Sequence, residues 1–137
     1  MQIKLTTDYA IRCALYLAAA KRTANATEIG NAMGVTPAYI SKVLRSLRKE
    51  GLVYSVKGVE GGYCLAKPAA EIAMGDIITA MEDTVRINRC LEADGYCSRN
   101  GVEIGCPVHD WYKGLQALLD DYFGKTTVQD IWDGKAR

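Results

Sequence analysis

Residues 34–66 leave this chain few folds to choose from. Gly34-Val35 reads as a tight turn, and Thr36-Pro37 joins a side-chain cap to a proline at the first helical position. The helix this opens predicts an inner face of Ile40, Val43, Leu44 and Leu47, at offsets zero, three, four and seven. At about 100° per residue the opposite face gathers Ala38, Lys42, Arg45 and Lys49, with Ser41 at its margin. Gly51 suits a left-handed helix stop. Residues 52–57 and 63–66 are β-rich and flank Gly58-Val59-Glu60-Gly61-Gly62, which predicts two short strands around a glycine tip. A short helix over 26–33 precedes the turn. Helix, tight turn, helix and hairpin in that order predict a winged helix-turn-helix.

The flanks are helical too. Thr6 or Thr7 can cap a helix over 7–22, in which Tyr9, Cys13, Leu17 and Ile11, Leu15, Ala18 recur at helical spacing. Asp8 falls in its first turn, where a carboxylate favours the helix N-terminus. Residues 68–71 turn the chain into a short helix over 75–82, with Ile77, Ile78 and Met81 inward. Residues 88–107 then lose all periodicity. Cys90, Gly95, Cys97, Asn100-Gly101, Gly105 and Cys106-Pro107 predict an irregular loop, long enough to signal a function of its own. A helix over 109–123 follows, striped by Trp111, Leu115, Leu118 and Tyr122, with Leu119 and Phe123 beside it. The stripe is shorter than the ~3 heptads a coiled coil needs. Residues 127–133 can add a turn anchored by Ile131 and Trp132. The expected fold is mainly α with a small β-hairpin wing, divided into residues 1–83 and 84–137.

Charge divides the chain too, at about residue 67. Residues 1–67 carry ten Lys/Arg against four Asp/Glu, whereas residues 68–137 carry seven against twelve, although the net charge is only +1. A basic N-terminal half suits a polyanion, and the acidic half stands away from it. In a helix-turn-helix the second helix enters the major groove of double-stranded DNA. Thr36, Ala38, Tyr39, Ser41 and Lys42 are the residues expected near base edges. Arg45, Lys49 and Lys57 are expected at phosphates, with the wing tip at Gly61 and Gly62 in the same interface. The rival use of this fold is as a protein-interaction module.

Other classes recede. No apolar run approaches the ~20 residues of a membrane span, and residues 1–9 lack the layout of a signal peptide, so a cytoplasmic protein without membrane contact is expected. Nor is there a phosphate loop or nucleophile elbow, and with a single histidine in 137 residues no enzyme is expected.

Five cysteines are an odd number for a disulfide framework, which makes metal ligation or thiol chemistry the question for those that cluster. Cys13 lies in an apolar pattern and Cys64 on a strand, so both read as packing residues. Cys90, Cys97 and Cys106 are separated by six and eight residues, and two more separate Cys106 from His109. Soft thiolates with one histidine suit an iron–sulfur cluster. They also suit a tetrahedral zinc site, although structural zinc favours closer ligand pairs, and two of the thiols could form a redox switch. An iron–sulfur electron carrier would leave the winged helix without purpose.

Taken together these residues resemble the IscR/NsrR family of bacterial winged-helix regulators, over nearly the whole chain. The resemblance is carried by Thr7-Asp8-Tyr9-Ala10, by residues 41–53 (SKVLRSLRKEGLV) and 58–65 (GVEGGYCL), by Met74-Gly75-Asp76-Ile77-Ile78, and by the three late cysteines with Cys106-Pro107-Val108-His109. It implies a transcription regulator, such as a repressor, that binds a partly palindromic operator as a homodimer joined through the long helix bearing Trp111, Leu115, Leu118 and Tyr122. It further implies an iron–sulfur cluster on Cys90, Cys97 and Cys106 that senses iron–sulfur status, redox state or nitric oxide. His109 matches the fourth ligand of members with a 2Fe–2S cluster, the favoured assignment. Asp8 matches the carboxylate ligand of members with a 4Fe–4S cluster and is the alternative.

Overall fold

In a computed structural model the described residues are 2–97, 99 and 105–136; Asn100-Gly101, expected to mark the cysteine loop, lie outside them. Six helices and one hairpin run in the order α1 (Leu5–Ala20), α2 (Ala26–Met33), α3 (Pro37–Lys49), β1 (Val53–Val56), β2 (Gly62–Leu65), α4 (Met74–Met81), α5 (Pro107–Lys125) and α6 (Val128–Trp132). Short 3-10 turns at Ala69–Glu71 and Arg89–Leu91 punctuate the connections. This is the expected winged helix-turn-helix, mainly α with a two-stranded wing.

The local signals of residues 24–65 act as their chemistry dictates. The Asn25 side chain accepts the Glu28 N–H at 2.8 Å and starts α2, while Gly34, at φ 70°, ends it. Thr36 Oγ1 accepts the Tyr39 N–H at 3.3 Å ahead of Pro37 and starts α3. A Cβ on Gly30 would stand 2.6 Å from the Val35 carbonyl oxygen, so only glycine lets the turn fold back this tightly. The wing pairs antiparallel, with Val53 opposite Leu65 and Val56 opposite Gly62. It is fastened to the helices by reciprocal backbone bonds between Ala24 and Tyr63, at 3.1 and 2.8 Å. Gly62 allows that approach, since a Cβ there would meet the Ala24 carbonyl at 2.5 Å.

One core joins these pieces. Ile40, Val43, Leu44 and Leu47 of α3 are all buried, as their spacing predicts, against Ile29 of α2 and Ala10, Cys13, Ala14 and Leu17 of α1. Each large apolar side chain so buried contributes about 1.5–3 kcal/mol before entropy is counted. The deepest line of α1 therefore runs through alanines, where small side chains let α3 come close, while Tyr9, Ile11, Leu15 and Ala18 pack at its edges.

Two expectations are corrected. The first helix starts at Leu5, and neither Thr6 nor Thr7 caps it: the position before it is Lys4, whose own side chain makes no cap. Thr7 is instead fully buried and donates its hydroxyl to Glu82 Oε1 at 2.6 Å, an acceptor just past α4 that also takes the Lys4 N–H at 2.8 Å. Second, Trp132 is 56% exposed and anchors nothing in the core. Ile131 does pack on the core as expected, beside the fully buried Val128, and Thr127 and Asp130 cap that helix reciprocally. In addition, residues 126–128 pair with 72–74 through the Met74 N–H to the Thr126 carbonyl (2.8 Å) and the Val128 N–H to the Ile72 carbonyl (2.9 Å). The end of the chain thus returns to pack on α1, and the stretch after residue 83 supplies part of the core of the stretch before it.

Candidate functional site

Two surfaces gather the residues singled out by the sequence. The first is the outer face of α3 with the wing. Thr36, Ala38, Lys42, Arg45 and Lys49 are exposed along it, Ser41 is half-buried at its margin, and Lys57 stands exposed at the base of the wing tip. Among the described residues, Lys42, Arg45, Lys49 and Lys57 form no ion pair. Several cations elsewhere are engaged, among them Arg12 with Asp8 at 2.8 Å, Arg22 with Glu28 at 2.7 Å and Lys125 with Asp121 at 2.8 Å. A row of unengaged cations on one helix face is what a phosphate backbone requires. Tyr39, expected near bases, also packs inward. Its ring is half-buried, edge-on to Tyr9 with centroids 5.3 Å apart, so it braces α3 on α1. Arg48, which periodicity alone does not distinguish, donates to Ser55 Oγ at 3.2 Å and ties α3 to the wing. At the tip, a Cβ on Gly61 would lie 2.3 Å from the Val56 carbonyl, so this glycine shapes the turn by close approach.

The second surface is a cleft of about 800 Å³ between the cysteine loop and the start of α5, bordered by Cys90, Cys97, Cys106 and His109. Cys106 is itself the cap of α5: its sulfur accepts the His109 N–H at 3.4 Å, ahead of Pro107. That helix start turns the His109 ring toward the loop, where Nδ1 lies 3.3 Å from Cys90 Sγ. Cys90 sits in the 3-10 turn that Asn88 caps. Between Cys90 and Cys97 the loop is closed by Arg89, whose guanidinium clasps the Asp94 carboxylate through both nitrogens and lies over the Tyr96 ring, 5.1 Å from its centroid. That clasp, helped by the Tyr96 N–H, holds the Asp94 carboxyl down to about 2.

All four donors border one cleft, yet among the described residues no three of them are drawn tightly enough together to hold a metal ion. The close pair is Cys90 with His109. Three thiols and an imidazole are the soft donor set that iron–sulfur clusters and zinc both take, so the residues fit such a group by chemistry. Gathering such donors onto one point is ordinarily done by the metal itself. Asp8 does not border this cleft; it lies half-buried on α1, bonded to Arg12. The remaining thiols behave as packing residues. Cys13 is fully buried, which pushes its thiol up to about 12, and Cys64 lies across from Tyr54, 3.4 Å from the Thr23 hydroxyl.

The long helix α5 is the other surprise of the site. Trp111, Leu118 and Tyr122 are exposed, at 62%, 71% and 47%, and Leu115 is half-buried. Its one buried residue is polar: Gln116. The side-chain oxygen accepts the Ile87 N–H at 2.9 Å, and its amide donates to the Val85 carbonyl at 3.0 Å and to Asp120 at 2.8 Å. Nothing in a search for apolar periodicity would select it, although it falls seven residues after His109 on the same helix face.

No helix among the described residues is long and apolar enough to cross a membrane. Residues 3–134 match the family named Rrf2, described as an iron-dependent transcriptional regulator. The chain is 34% identical over 127 residues to a putative HTH-type transcriptional regulator of Aquifex aeolicus, covering 92% of this chain and 88% of that protein. It is 33% identical over 110 residues to the HTH-type transcriptional regulator IscR of Pectobacterium carotovorum, covering 79% of this chain and 63% of IscR. In three dimensions it superposes on CymR, the global cysteine regulator of B. subtilis, with a TM-score of 0.79, 22% identity and 97% of each chain covered, a likeness of fold.

Proposed function

Because this chain belongs to the Rrf2 family of iron-dependent transcriptional regulators, a family of DNA-binding proteins and not of enzymes, we propose that it is a homodimeric regulator whose hold on a partly palindromic operator is set by an iron–sulfur cluster on Cys90, Cys97, Cys106 and His109. The observation that carries this reading is the 3.3 Å approach of His109 Nδ1 to Cys90 Sγ across a cleft that Cys97 and Cys106 also border. It favours His109 over Asp8, whose carboxylate is engaged with Arg12, and so favours the 2Fe–2S type. A bound cluster would supply a centre that responds to oxidant, nitric oxide or iron–sulfur status. The chain supplies the rest: Cys106 and Pro107 start α5 where His109 must stand, and the Arg89–Asp94 clasp shapes the loop between Cys90 and Cys97.

On the DNA side, Thr36, Ala38, Ser41 and Lys42 approach base edges, while Arg45, Lys49 and Lys57 neutralise phosphates, with the glycine tip at Gly61 and Gly62 alongside. The unpaired state of these cations supports that assignment. Residues 1–83, completed by α6, form the DNA-binding unit, and residues 84–125 the sensing and dimerising one. A second copy covers Trp111, Leu115, Leu118 and Tyr122, an apolar stripe that water otherwise meets.

The test is iron and acid-labile sulfide analysis with visible and Mössbauer spectra of protein isolated without oxygen. Coloured protein is expected, with colour lost on Ala at Cys90, Cys97 or Cys106, kept on Ala at Cys13 or Cys64, and altered by His109→Ala but not Asp8→Ala. Colourless protein with stoichiometric zinc would replace the cluster by a structural zinc. Metal-free protein forming a disulfide among the three would make it a thiol switch, a reading that the close Cys90–His109 pair also suits.

A further inference from the structure

We propose that Gln116 is a positioning residue that holds Cys90 against His109, and this rests on reading that pair as part of the sensing site. Three observations combine. Gln116 is 5% exposed and is the single buried residue of α5. Its amide uses both ends on the backbone of the segment before the cysteine loop, accepting from Ile87 and donating to Val85, as a neighbouring strand would. Finally, seven residues span about 10.5 Å and fall about 20° short of two full turns, so Gln116 and His109 point from the same face of α5. On the facing segment, extended Asn88 leads from Ile87 into the 3-10 turn that holds Cys90, a path shorter than the ~10 Å of three fully extended residues. Two rungs therefore join helix to segment: Gln116 with 85–87, and His109 with Cys90.

The first rung is buried and hydrogen-bonded at both ends, whereas the other ties are weak. Arg86 meets Asp120 at 3.4 Å on the surface, where water and salt screen the pair. A slip of one residue at Gln116 would carry Cys90 away from the imidazole by about 3.3 Å, enough to break a contact made at 3.3 Å. The register that brings sulfur to nitrogen is thus set at Gln116.

His109 is the only histidine of the chain, so its ring signals in nuclear magnetic resonance are unambiguous. In reduced, metal-free, full-length protein at one pH, Cys90→Ala should shift them by removing the sulfur. Gln116→Met, of similar length but without hydrogen bonds, should shift them too. In the Gln116→Met background, adding Cys90→Ala should then change little, because the contact is already lost. Gln116→Glu, which can accept from Ile87 but not donate to Val85, should fall between, and it decides the matter if Gln116→Met fails to fold. After reconstitution with iron and sulfide, the cluster half-life of Gln116→Met should drop at least fivefold while affinity for random DNA stays within twofold. Unmoved His109 signals in Gln116→Met, or fully additive shifts with Cys90→Ala, would overturn the proposal. Wild-type protein that takes up no iron would overturn the cluster and leave the resonance result to decide for or against Gln116.

Discussion

Helices α3 and α5 open alike and end up inside out with respect to each other. Each begins with a capping side chain followed by proline, Thr36-Pro37 and Cys106-Pro107, and each carries an apolar stripe. In α3 the stripe is buried in the chain's own core, and the polar face looks outward. In α5 the stripe of Trp111, Leu118 and Tyr122 looks outward, while the inner side is held by an amide, Gln116. Amphipathicity shows that a helix has a face to cover without saying what covers it. The core completes α3 within one chain, whereas the apolar face of α5 stays exposed in the single chain.

The sharpest break between the two helices is in stability. Leu44→Ala, in a fully buried side chain, should cost about 2–5 kcal/mol in denaturant unfolding. Leu118→Ala should cost under about 0.5 kcal/mol within one chain, and any further loss should depend on protein concentration. An equal, concentration-independent loss at both positions would erase the contrast.

Next in size is association. Leu118→Asp should halve the mass seen in sedimentation and weaken operator binding at least tenfold, with helical circular dichroism retained. A variant that stayed dimeric at full affinity would move the dimer contact off α5.

Charge sharpens the contrast more gently. Arg45→Ala and Lys49→Ala should each lower the slope of log affinity against log salt by about 1, for operator and random DNA alike. Lys125→Ala on α5, where the ammonium already faces Asp121, should leave that slope unchanged.

The smallest effect separates a core thiol from the cleft thiols. Burial raises Cys13 from its ordinary 9.0 to about 12, so native protein at pH 8 should be alkylated at Cys90, Cys97 and Cys106 but not at Cys13. A thiol raised on folding favours the folded state below its unfolded value. That contribution should therefore fade from pH 9.0 upward to about 12, and Cys13→Ser should show a flatter fall in alkaline unfolding.

Much of this architecture was written in short-range code. Thr36-Pro37, Gly34, the offsets of Ile40 to Leu47 and the glycine tip each act within a few residues, through a cap, a positive φ or a helical period. For that reason the turn, the recognition-type helix and the wing all appear where the sequence predicts them. The cysteine trio and His109 were also legible, as residue types suited to one chemistry at a shared loop and helix start. The loop's clasp was not, because Arg89 and Asp94 are as ordinary in sequence as any surface pair.

What the sequence by itself determined is therefore the set of elements and which residues border the cleft. What only the tertiary structure decided is how the ends of those elements are satisfied. Thr7 looked like a cap and instead bonds Glu82, 75 residues away. The last helix was expected to be anchored by Ile131 and Trp132 and instead closes the core through Val128 with Ile131 beside it, and Gln116, which no apolar pattern marks, is buried. The physical reason is common to all three. A hydroxyl, an amide or a valine must find a partner when removed from water, and its partner's place along the chain leaves no trace in the residues beside it.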